Sequence, residues 1–162
     1  MIDDPVMTHI DAQLTAVIHL TIPREQCPTM MGPAIQELLA VLKAQGITPV
    51  GALFSHHLKL PSAIFDFEIG IPVNQAVTAT QRVKPSTLPA CQIAQTIYHG
   101  GYEGLGEAWG EFKKWIEGKG YPQREDLWES YLAGPESSPD STAWRTALYQ
   151  PLWNEITSVP QE

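Results

Sequence analysis

The sequence predicts an α+β fold made of two tandem β-α-β-β repeats related by pseudo-twofold symmetry: an antiparallel sheet with helices on one face and a ligand cleft on the other. Three observations predict it. When Gly46 is laid on Gly120, a displacement of 74 positions, two helical stripes that each stop at a glycine come into line. At the same displacement a short strand follows each helix, and each copy closes with a second strand that leaves through a proline.

The first repeat occupies about 13–73. A candidate strand over 14–21 precedes the stripe Ile35, Leu38, Leu39 and Leu42, which ends at Ala44-Gln45-Gly46. Glycine can take the left-handed conformation that stops a helix. Leu53-Phe54-Ser55-His56-His57-Leu58 reads as a strand, followed by a turn at Leu60-Pro61-Ser62. The run Ile64-Phe65-Asp66-Phe67-Glu68-Ile69 then alternates apolar and acidic positions, as a strand with one buried face does, and leaves through Ile71-Pro72-Val73. Residues 74–89, with Lys84-Pro85-Ser86, read as a polar linker.

The second repeat spans about 90–153. Its strand over 92–98 leads to the stripe Leu105, Trp109, Phe112 and Ile116, which stops at Lys119-Gly120. The strand Leu127-Trp128-Glu129-Ser130-Tyr131-Leu132 follows. A longer loop, 133–141, delays the closing strand over 144–149, which leaves through Gln150-Pro151-Leu152. Residues 154–162 are expected to form a poorly ordered tail. One such unit cannot bury both its helix stripe and its sheet face, so the whole chain, 1–162, is expected to be a single domain.

Composition narrows the function. Apolar residues make up 43% of the 162 and charged residues 17%, a globular profile with no apolar run long enough for a membrane span. Met1-Ile2-Asp3-Asp4-Pro5 lacks the basic flank and apolar stretch of a signal peptide, so a cytoplasmic location is expected. A net charge of −8 opposes direct nucleic-acid binding and mildly attracts cationic small molecules. Cys27 and Cys91 have no metal-ligand spacing and are expected to be reduced core or strand residues. His56 and His57, adjacent on a strand, point to opposite faces, so no metal is expected. No phosphate loop, nucleophile elbow or paired-cysteine motif occurs, and no cofactor is expected. A homodimer through exposed edges or helices is compatible with the sequence but not specified by it.

The two-residue strand period puts Glu129 and Tyr131 on one face and Trp128, Ser130 and Leu132 on the other. It likewise separates Asp66, Glu68 and Gly70 from Phe65, Phe67 and Ile69. With the apolar sets beneath the helices, the acidic sets would face the cleft. Ser55 and His57 are the first-copy counterparts of Glu129 and Tyr131, and Tyr149 is the counterpart of Gly70. The candidate ligand-binding residues are therefore Glu129, Tyr131, Glu68, Asp66, Tyr149, Ser55 and His57, with Tyr98 and Tyr102 at the start of the second helix. Trp109, Phe112 and Ile116 are read as helix core. Carboxylates among aromatic rings suit an aromatic or lipophilic cation.

Three stretches carry a resemblance: Tyr98-His99-Gly100-Gly101-Tyr102-Glu103-Gly104-Leu105, Trp128-Glu129-Ser130-Tyr131-Leu132, and Asp66-Phe67-Glu68-Ile69-Gly70-Ile71-Pro72-Val73. Together with the duplication they resemble the GyrI-like family, the effector-binding fold also found in AraC-type and multidrug-sensing MerR-type regulators. The resemblance implies a protein that senses or sequesters small molecules, and it implies that Glu129 is the residue that meets cationic drugs. It also implies two alternatives. Some stand-alone members are hydrolases that open the cyclopropane ring of alkylating natural products; Glu129 and Glu68 would then be the working carboxylates, with Tyr131 or Tyr149 as the proton partner. Others modulate DNA gyrase through protein contacts. The family's one-component regulators carry a helix-turn-helix segment that has no counterpart in these residues, so direct DNA binding is not expected. The first copy has Gln26-Cys27-Pro28-Thr29-Met30 in place of the glycine-tyrosine motif, which implies a lopsided cleft.

Overall fold

The computed structural model describes residues 1–59, 62–135 and 137–153. The turn residues Leu60 and Pro61, Glu136 of the long loop and the tail 154–162 lie outside the described residues. The chain folds as two compact units, one formed by residues 11–90, the other by residues 1–10 together with the chain from Cys91 onward. Among the described residues no helix is long and apolar enough to cross a membrane.

In the unit of residues 11–90, β2 (Gln13–Pro23) leads through a single 3₁₀ turn into α1 (Cys27–Ala44), then β3 (Phe54–His57), β4 (Ile64–Pro72) and β5 (Val83–Leu88). The sheet order is β3-β4-β2-β5, antiparallel throughout. Ala16, Ile18, Leu20 and Ile22 alternate onto the face beneath α1, where they meet Leu38, Leu42, Phe67, Ile69 and Ile71 in one buried core. The helix stops where its glycine predicts: Gly46 has φ +71°, and Ile47 N–H reaches back to the Leu42 carbonyl at 2.9 Å. Leu39, counted in the helical stripe, points outward instead and is exposed.

The other unit contains β1 (Val6–Ile10), β6 (Cys91–His99), α2 (Leu105–Gly118), β7 (Leu127–Ala133) and β8 (Arg145–Leu152). Its sheet runs β1-β6-β8-β7, again antiparallel. Trp109, Phe112 and Ile116 of α2 pack on Ala94, Tyr98, Leu127, Leu148 and Leu152. Gly120, at φ +79°, ends the second helix as Gly46 ends the first.

Two strands escape the sequence pattern. The expected linker 74–89 contains β5, and residues 1–10, left unassigned by the sequence, contain β1. Neither needs regular apolar alternation, because main-chain bonds to β2 and to β6 hold them. In β5 the proline, Pro85, is tolerated because such residues can turn their missing N–H to the free edge of a sheet. β4 ends on Pro72, as expected, and Pro151 is the penultimate residue of β8, which runs one residue further to Leu152.

Candidate functional site

Glu129 sits near the middle of β7, in register with Leu148 of β8, and is 8% exposed. The two neighbouring positions that share its sheet face are Leu127, in the core beneath α2, and Tyr131. Trp109, one turn into α2, donates its indole N–H to Glu129 Oε2 at 2.7 Å, and the Tyr131 hydroxyl donates to Oε1 at 2.9 Å. Both carboxylate oxygens are thus engaged by neutral aromatic donors. No Lys, Arg or His among the described residues pairs with Glu129. Burial pushes its pKa above the ordinary carboxylate value, the two hydrogen bonds working the other way.

An aromatic cover continues from Tyr131. Tyr102, in the 3₁₀ turn before α2, meets Tyr131 edge-on at 5.8 Å and Trp144 at 5.0 Å between ring centroids. Trp144 is held by its indole N–H on the Ser138 carbonyl at 2.9 Å. Tyr98 donates to the Gly101 carbonyl at 2.8 Å and packs so closely under the turn that a Cβ at Gly104 would collide with its hydroxyl. Behind the site, Lys113 stands 5.7 Å over the Trp109 ring and donates to Gln150 Oε1 at 2.6 Å. Burial lowers the pKa of Lys113. This ammonium steadies the indole that in turn holds Glu129.

The placement of the predicted residues differs from the alternation reading in both units: Glu129 and Tyr131, and with them Ser55 and His57, lie on the helix side, not on the opposite face. Leu127 takes the core position beneath α2, and Trp128 stacks instead on Tyr149 on the far face, ring centroids 5.6 Å apart. Tyr149 is therefore separated by the sheet from Glu129. It lines a shallow depression of about 230 Å³ with Asp3, Asp4, Ile97 and Leu132, and Glu129 is not part of that lining. The structure brings together Glu129, Tyr131 and Tyr102; Tyr98 braces the turn that carries Tyr102.

In the unit of residues 11–90, Ser55 and His57 pair with Ile69 and Phe67, which places them on the α1 side. His57 stacks on Phe67 at 5.1 Å and meets Phe65 edge-on at 5.2 Å. Burial, then the neighbouring His56, lower its pKa to about 4. Asp66 and Glu68 take the opposite face, as the alternation predicts. Asp66 is bonded by His19 at 2.5 Å and by Thr21, and the His19 contact keeps its pKa low. Glu68 stands across from His19 and His56. Among the described residues no group of three or more His, Cys, Asp or Glu side chains is placed to hold a metal.

Trp109 is the contributor whose second role helix periodicity does not show. It is core, as the stripe predicts, but a buried indole N–H must find an acceptor, and that requirement was the available signal. Trp144 carried no comparable signal, because only the long loop's path brings it to Tyr102.

The GyrI-like small molecule binding domain model matches residues 4–152. Among solved structures, the C-terminal domain of EcmrR superposes with a TM-score of 0.82 at 21% identity, over 93% of this chain and 97% of that one. EcmrR in its complex with DNA gives 0.81 at 24% identity, over 92% of this chain but 57% of that one, so the chain spans little more than half of that protein. A hydrolase from Listeria innocua gives 0.70 at 14% identity, covering 92% of this chain and 91% of its own. SAV2435, solved bound to tetraphenylphosphonium, gives 0.65 at 10% identity, covering 99% of this chain and 100% of its own. Comparison with the curated proteins gives no match.

Proposed function

The chain belongs to the GyrI-like small-molecule-binding domain family, and on that premise we propose that it senses or sequesters aromatic, lipophilic cations at Glu129. One observation carries the reading: a carboxylate buried among aromatic rings whose hydrogen-bond partners among the described residues are two neutral donors, Trp109 and Tyr131. Burying a carboxylate without a countercharge is costly, which is why burial raises the pKa of Glu129. A ligand cation supplies the missing charge, while Tyr131, Tyr102 and Trp144 supply dispersion and cation–π attraction. Trp109 and Tyr131 occupy both carboxylate oxygens, so a ligand must part this aromatic cover. Ser55 and His57, the first-copy counterparts of Glu129 and Tyr131, bring no carboxylate, so the cation belongs to the second copy. A SAV2435 structure of similar fold holds tetraphenylphosphonium, which recommends that probe.

The test is a tryptophan-fluorescence titration of the wild type and Glu129→Gln with tetraphenylphosphonium. Saturable quenching, weakened about tenfold or more in the variant, is the expected result; a flat wild-type response overturns the reading.

A second reading, a hydrolase of strained rings, draws on the Tyr131–Glu129 hydrogen bond and on the likeness to the Listeria innocua hydrolase. As water bonds to the ring carbon and the ring C–C bond breaks, a protonated Glu129 would give its proton to the oxygen that takes up the displaced electron pair and then recover one from the added water, with Tyr131 positioned beside it. Mass analysis of a cyclopropane-bearing aromatic incubated with the protein separates the two: a product heavier by one water establishes turnover, and unchanged substrate leaves binding alone.

A further inference from the structure

Thr146 lies on β8 directly between two tyrosines of the site region, with Tyr131 of β7 across one edge and Tyr98 of β6 across the other. It shares the α2 side of the sheet with Leu148 and Leu152, two and six positions further along the strand. The residue is fully buried, 0% exposed, and its hydroxyl Oγ1 has no hydrogen-bond partner. Buried polar atoms in folded proteins nearly always have partners, and an exception calls for a reason. Valine has the same branched shape and the same preference for strands, and it would fill this place with no unmet hydrogen bond. The other buried side-chain atom in this condition among the described residues, His57 Nδ1, belongs to the other unit.

The residue is also a near neighbour of Glu129 in the sheet. Glu129 pairs with Leu148, and Thr146 is two residues along the same strand on the same face, a diagonal cross-strand neighbour of Glu129. Residues in this relation stand about 7–8 Å apart along the sheet, a separation on the scale of one aromatic ring with its substituents. Tyr131 is in register with Thr146 and donates its hydroxyl to Glu129, so it adjoins both, and it is the side chain that a ligand must move to reach Glu129.

We propose that the Thr146 hydroxyl is a second polar anchor of the Glu129 site, so that the preferred ligand is an aromatic cation carrying a hydroxyl or amino group about one ring away from its positive charge. This rests on the cation-binding reading above and narrows it. Glu129 answers the charge, and Thr146 answers the hydrogen-bonding group. A site built to hydrogen-bond a ligand hydroxyl discriminates against the analogue that lacks it, because the protein's own group is otherwise left unpaired.

The experiment uses two matched probes, tetraphenylphosphonium and its analogue bearing a single para-hydroxyl on one ring, titrated into the wild type, Thr146→Val and Thr146→Ser. The expected result is about tenfold tighter binding of the hydroxylated probe by the wild type, a preference kept by Thr146→Ser and reduced to about unity by Thr146→Val. Equal binding of both probes by the wild type, or an unchanged preference in Thr146→Val, overturns the assignment of Thr146 while leaving the cation reading in place. Binding of neither probe overturns both. Thermal unfolding of the empty proteins gives an answer independent of any ligand: Thr146→Val should melt at the same or a higher temperature than the wild type, and a clear drop would mean that the hydroxyl is already partnered and the proposal wrong.

Discussion

The indole N–H of Trp109 donates to Oε2 of Glu129 at 2.7 Å, which ties the first turns of α2 to the strand β7 through a buried carboxylate. The same bond satisfies the indole and supports the carboxylate.

Removing the donor should therefore be felt in stability. Trp109→Phe keeps most of the ring in the core but leaves Oε2 of Glu129 without its partner. Urea unfolding at neutral pH is expected to show a loss of about 1–3 kcal/mol. A variant as stable as the wild type would show that the bond contributes nothing.

Glu129 also sets a pH dependence. Its folded pKa is raised by burial above the ordinary value of 4.5. Between that value and the raised one, the folded state holds more protons than the unfolded state, so stability falls as pH rises through this window and then levels off. Glu129→Gln lacks the titrating group. The wild type should lose stability relative to Glu129→Gln as pH rises from about 4.5, with the loss complete above the raised pKa; parallel stability curves for the two proteins would contradict the shift.

His57 works in the opposite direction. Its pKa falls from 6.5 to about 4 because the imidazole is buried between Phe65 and Phe67. The unfolded chain takes up a proton as pH drops below 6.5 while the folded state does not, so stability is lost on acidification toward pH 4. Relative to His57→Phe, the wild type should lose about 2 kcal/mol between pH 7.5 and pH 5. Urea midpoints across that range measure it, and a constant difference between the proteins would refute the buried neutral state.

Gly70 gives a purely steric prediction. A Cβ there would come within 2.7 Å of both Phe54 Cζ and Val17 Cγ1 and within 2.9 Å of the Ala16 carbonyl oxygen. The backbone oxygen cannot move aside as a side chain can, so Gly70→Ala should destabilise the protein by about 2 kcal/mol. Thermal unfolding tests this, and an unchanged midpoint would mean that the strands separate at little cost.

Much of this fold is legible in the residues. The glycine stops at Gly46 and Gly120, the stripe Trp109-Phe112-Ile116 and the alternation of Phe65, Phe67 and Ile69 each encode a local geometry that burial then enforces. The strands at Val6–Ile10 and Val83–Leu88 are not legible, because an edge strand is recruited by main-chain hydrogen bonds to its neighbour and its side chains need record little of it.

The candidate site divides in the same way. The sequence by itself determined that Glu129 and Tyr131 share a face, because the strand period is two, and that the large aromatic side chains gather in the second half of the chain. Which face lies beneath α2 was decided only by the tertiary structure. Both faces of β7 carry apolar residues, Leu127 on one and Trp128 on the other, so hydrophobicity alone does not choose between them. Packing chose: Leu127 fits the core under α2, Trp128 finds Tyr149 on the far side, and the Trp109 N–H finds its acceptor in Glu129. Those are contacts between residues distant in the chain, and no local pattern contains them.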